Sequence, residues 1–98
     1  LTKDKRRFPR FNVKWPVVIE NGDRMFKGEM HIMSANGGSI RSEQSLEPDK
    51  TIHLTIDIPD GASLVLDARV VWSVHAHSED EKYPYSIGVQ FENQDRPE

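Results

Sequence analysis

The octapeptide TIHLTIDI, Thr51 to Ile58, alternates without a break. Ile52, Leu54, Ile56 and Ile58 fall on one side, and Thr51, His53, Thr55 and Asp57 on the other. Side chains of an extended chain point alternately to opposite faces, so a period of two is what a half-buried strand requires and what a helix cannot use. LVLDARVVWSV repeats the pattern, with Leu64, Leu66, Ala68, Val70, Trp72 and Val74 on one face. SIGVQF closes it with Ile87, Val89 and Phe91. The chain contains no amphipathic helical stretch of ten residues or more.

The first half follows the same logic less cleanly. VKWPVVIE, Val13 to Glu20, is β-branched and apolar, with Pro16 marking an edge or a bulge. Asn21-Gly22 predicts a hairpin turn, since both residues tolerate positive φ. RMFKGEMHIM, Arg24 to Met33, has its apolar content at Met25, Phe26, Met30 and Ile32, and Gly28 suggests a bulge. SANGGSI reads as a turn, and Pro59-Asp60-Gly61 as another. SEQSLEPDK (Ser42 to Lys50) and HSEDEKYPY (His77 to Tyr85) read as solvated connections. Short strands separated by turn chemistry predict an all-β antiparallel sandwich or small barrel.

Composition narrows the function. Ninety-eight residues make one domain, 1–98, with a basic, flexible segment over 1–12 and a frayed tail over 93–98. A net charge of −3 argues against coating DNA or an anionic membrane. The absence of cysteine excludes disulfides, thiolate metal sites and a Cys nucleophile, and fits a reducing cytoplasm. No apolar run approaches the ~20 residues of a membrane helix, so no direct membrane insertion is expected.

Against that acidic background, KRRFPRF places Lys5, Arg6, Arg7 and Arg10 just before the first strand. A guanidinium donates two parallel hydrogen bonds to phosphate or to the guanine O6/N7 edge, and its face stacks on rings. Four cations are too few to hold a long polyanion, so DNA and RNA are not expected partners, whereas a compact phosphate ligand suits them. MSANGG, Met33 to Gly38, follows a strand with a Ser and a tight turn whose N–H groups and hydroxyl can converge on an anion.

The R-x-x-x-R before the first strand and the Ser-x-x-Gly turn about two strands later together resemble the PilZ family. SLEPDKTIHLTIDIPDG, ARVVW and YSIGVQF are similar to its middle hairpin, penultimate strand and closing strand, so the resemblance spans roughly residues 5–92. It implies a six-stranded antiparallel β-barrel with little or no helix. Such a barrel receives the bacterial second messenger cyclic di-GMP in the cytoplasm, without catalysis or cofactor, and signals to a protein effector or fused domain. The inner face of this barrel should carry Ile52, Leu54, Ile56, Leu66, Val70, Ile87, Val89 and Phe91.

Residue by residue, Arg6 and Arg10 match the two arginines that contact guanine and phosphate in the family. Arg7 matches an adjacent basic position, and Lys5 a position associated with a stacked ligand dimer. Ser34 and Gly37 match the D/N-x-S-x-x-G turn. Its first position, however, is Ile32, which cannot accept hydrogen bonds from guanine N1 and N2. His31, through a local bulge, or Asn36 could substitute, or the remaining arginines could hold the ligand with reduced affinity. The alternative is a degenerate PilZ domain that binds no nucleotide and serves as a protein-interaction module.

Trp72 alternates with Val70 and Val74 and reads as core, while the family resemblance offers its ring to the ligand. Trp15 reads as packing. His75 and His77 share a strand face, but no pattern supplies a third metal ligand, so ordinary exposed histidines are expected. Ser34 lacks a His–Asp partner, which argues against nucleophilic catalysis. A single-stranded nucleic-acid barrel would need an aromatic platform and a basic groove, which this sequence lacks.

Overall fold

The computed structural model describes residues 9–76 and 82–92. They form six strands and no helix: β1 Phe11–Asn21, β2 Arg24–Ser34, β3 Gly37–Ser42, β4 Thr51–Asp57, β5 Ser63–His75 and β6 Tyr85–Phe91. The strands close in the order β1-β2-β3-β6-β5-β4, every pair antiparallel, with β1 returning to β4. Closure leaves no unpaired sheet edge. The all-β expectation resolves to a six-stranded antiparallel barrel.

The period-two segments supply the interior. Ile52, Leu54, Ile56, Val70 and Ile87 are fully buried, Val89 nearly so, and Leu66 and Phe91 pack partly buried against them. Each fully buried aliphatic side chain contributes about 1.5–3 kcal/mol, an upper figure because the unfolded chain is not fully extended. β1 and β2 add Val17, Ile19, Phe26 and Met30, with Trp15 packed at their margin. Met25 instead points to solvent.

Four local expectations change. β1 starts at Phe11, inside the stretch read as the basic segment, while residues 1–8 and the tail 93–98 lie outside the described residues. The first hairpin turns one residue later than predicted. Asn21 pairs with Arg24, and Gly22 takes the first loop position with φ 67°, where glycine meets no steric penalty. Gly28 sits in regular pairing, and the bulge of β2 falls at His31 instead. Most of SANGGSI is strand, not turn: only Ala35-Asn36 connects β2 to β3, and Ile40 of β3 is fully buried.

The Ser42–Lys50 connection is also more than a solvated loop. Leu46 is buried as part of the core, and its N–H donates to the Ser73 hydroxyl (3.2 Å). Asp49 N–H donates to the Val70 carbonyl (2.7 Å) and Val70 N–H to the Lys50 carbonyl (2.9 Å). Leu46 thereby plugs a gap that the strands leave. In the later connection residues 77–81 lie outside the described residues, yet Tyr83 is buried and its carbonyl accepts from the Arg41 guanidinium at 2.8 Å.

Candidate functional site

Residues paired directly across antiparallel strands share a face. Asn12, Ile32, Ser39, Gly88 and Trp72 form such a row on the barrel's outer wall, running through β1, β2, β3, β6 and β5. Two irregularities set it. The extra residue His31 lets Met30 face the core beside Ile40 while Ile32 faces outward beside Ser39. A second register shift lies between Val70 and Trp72, leaving Val70 inside and bringing Ser73, not Trp72, into line with the buried Ile87.

That second bulge corrects the core reading of Trp72. The residue is 43% exposed, and Val71 and Val74 are exposed with it. The alternation seen in the sequence is real up to Val70 and inverts after the inserted residue. The indole lies across Gly88, where a Cβ would overlap ring atoms Cε2 and Nε1. Glycine at that position is what allows the ring to lie on the sheet.

A cavity of about 330 Å³ opens on this wall, at the lower end of the ~300–1,000 Å³ typical of small-ligand sites. Ile32, Ser39, Trp72 and Gly88 line it, joined by Arg10 and by the β2–β3 turn through Ser34, Asn36 and Gly37. Pairing of Phe11 with Met33 sets Arg10 alongside Ser34 at the next register position. Arg10 is exposed. The turn itself is internally bonded: the Ser34 hydroxyl donates to Asn36 Oδ1 (2.8 Å), shared with the Gly37 carbonyl (3.2 Å). Phe91 N–H fixes the Asn36 carbonyl at 2.9 Å. On the rim, Arg69 donates to Gln90 Oε1 at 2.9 Å.

The structure thus gathers Arg10, Ser34, Asn36, Gly37 and Trp72 about one hollow, although 62 positions separate Arg10 from Trp72. Lys5, Arg6 and Arg7 lie outside the described residues. Ile32 lines the hollow; His31 does not, its Nε2 lying 3.0 Å from Glu29 Oε1. Sequence reasoning missed Ser39, Gly88 and Gln90. They are small or polar residues on a solvent-facing wall, and only cross-strand register brings them to Trp72.

A second hollow of about 560 Å³ lies between Asn21, Arg24, the Ser45–Pro48 stretch, Lys50 and Ser73. It is larger, but no aromatic ring lines it, and Arg24 is bonded to Gln44. Among the described residues no three His, Asp or Glu side chains gather as a metal site. His75 meets the Tyr85 ring edge-on at 5.2 Å, His53 pairs with Asp67, and His77 is outside the described residues.

Comparison with known proteins agrees with this architecture. The family model of the PilZ domain matches residues 4–98. The Bacillus subtilis inhibitor of motility (MotI/DgrA) is similar in structure, with a TM-score of 0.74 at 14% identity, over 93% of this chain and 44% of that one. The chain therefore spans less than half of that protein. The PilZ domain of YcgR from Escherichia coli, solved with c-di-GMP, gives a TM-score of 0.75 at 13% identity, over 92% of this chain and 79% of that one. No curated protein sequence matches the chain.

Proposed function

The chain belongs to the PilZ domain family, and from that premise we propose that it is a non-catalytic receptor for cyclic di-GMP in the bacterial cytoplasm. The observation that carries this reading is a cavity that combines a guanidinium, a serine-glycine turn and an indole lying open on the sheet. Phosphate takes the guanidinium fork, a purine face takes the indole, and backbone N–H groups of the turn take remaining oxygens. Arg10 and Ser34 are the principal contacts within the described residues, with Asn36, Gly37 and Trp72 around them. Lys5, Arg6 and Arg7, three to five positions upstream in the chain, complete the cationic set. Ligand capture draws the segment Lys5–Arg10 onto the barrel, and a protein effector or a fused domain reads that change.

Titration calorimetry with cyclic di-GMP tests the reading. A charge-assisted hydrogen bond contributes about 1.5–3 kcal/mol, so Arg10→Ala should weaken binding about ten- to a hundredfold. Arg24→Ala, in the other hollow, should leave affinity unchanged. Absence of heat with the wild type at ~100 μM ligand would sink the receptor reading. That outcome would favour a protein-interaction module, for which the exposed Phe11, Val71, Trp72 and Val74 are the surface to examine.

A further inference from the structure

We propose that the cavity does not discriminate guanine from adenine at the base it holds, and that Ile32 is the residue responsible; this rests on the cyclic-dinucleotide reading above. The observation is the chemistry of the lining. Among the described residues no Asp or Glu side chain lines the hollow. Ile32 stands in the outer row between Asn12 and Ser39, with the Trp72 indole across Gly88. An aliphatic chain and an aromatic face accept the flat surface of either purine without preference.

Base identity is read at edges. Guanine presents two adjacent donors, N1–H and N2–H₂, and a carboxylate or amide oxygen beside them is what rewards guanine. Adenine presents one donor group, N6–H₂, flanked by ring-nitrogen acceptors. Each amide oxygen of this lining already accepts one hydrogen bond, Asn36 Oδ1 from the Ser34 hydroxyl and Gln90 Oε1 from Arg69, which leaves one lone pair on each. His31, on the bulge beside Ile32, faces Glu29 outside the hollow. The Ser39 hydroxyl, both donor and acceptor, suits adenine's mixed edge as well as one of guanine's donors. A site that hydrogen-bonds its substrate rejects analogues by large factors, whereas an apolar wall discriminates weakly. Ile32 makes this wall apolar where selection would occur.

Calorimetry on the wild type, Ile32→Asp and Ile32→Asn with cyclic di-GMP, cyclic di-AMP and the mixed guanine–adenine cyclic dinucleotide tests this. The wild type should bind all three within about tenfold of one another. Ile32→Asp should tighten cyclic di-GMP about ten- to a hundredfold and leave cyclic di-AMP unchanged or weaker, with Ile32→Asn moving the same way by less. Ile32 is half-buried on the outer wall, and a thermal melt of each variant verifies folding. A wild-type preference for cyclic di-GMP beyond about tenfold overturns the proposal while leaving the receptor reading intact. Selectivity unchanged in both folded variants removes the assignment to Ile32. If none of the three ligands binds the wild type, the receptor reading itself falls, and this proposal with it.

Discussion

Gly88 and Trp72 show how much one missing methyl group can decide. The indole occupies the space that any side chain at position 88 would need, so the two positions act as one unit. In Gly88→Ala the new Cβ displaces the ring. Because Trp72 is partly exposed it can swing away, and the cost in stability stays within about 1 kcal/mol. Ligand affinity should nevertheless drop by about the same factor as in Trp72→Ala, because both variants remove the same stacking face. That factor is about 5- to 100-fold if stacking on a base is worth ~1–3 kcal/mol. In the double variant the losses should not add. Calorimetry on the three proteins checks this, and full additivity would mean that Gly88 and Trp72 act independently.

Among the structural elements, the Ser42–Lys50 connection contributes most beyond what its composition suggests. Its polar, acidic look concealed one buried leucine and three hydrogen bonds to β5, two between backbones and one to the Ser73 hydroxyl. Leu46→Ala should lower unfolding free energy by about 2–3 kcal/mol, the lower part of the large-to-small range because a loop can partly collapse into the space. Urea denaturation at an unchanged m-value would verify it, and a change within ~0.5 kcal/mol would show that Leu46 does not belong to the core. β3 illustrates the converse problem. Two glycines and two serines flank its single apolar Ile40, leaving no period to detect, yet pairing on both sides to β2 and β6 makes it a central strand.

As a whole, the barrel has one core reached by all six strands, and its closure depends on β1 meeting β4 and β3 meeting β6. Neither contact is local in sequence. Removing one strand opens an edge and exposes the interior, so partial structures gain little. Equilibrium unfolding should therefore be a single transition, with far-UV circular dichroism and tryptophan fluorescence coinciding. Refolding should take milliseconds to seconds, as pairings of this range do. Separate transitions by the two probes would show that the sheet melts in parts.

The alternation of TIHLTIDI, of Leu64 to Val70 and of SIGVQF already determined an all-β chain and most of its interior, because strand burial imprints a period of two directly on the residues. Arg10, Ser34, Asn36 and Gly37 were legible as candidates from a basic run and a tight turn, and the family as a resemblance carried by R-x-x-x-R, Ser-x-x-Gly and the strands after them. Tertiary structure alone decided three things: that Trp72 faces out, that Ser39, Gly88 and Gln90 share its wall, and that Leu46 closes the core. Each depends on an inserted residue or on a partner strand distant in the chain: on the bulges at His31 and Val71, on the β3–β6 pairing and, for Leu46, on its bond to Ser73 of β5. A bulge reverses the facing of every residue after it without altering the pattern of letters, so only the register of the closed barrel reveals it.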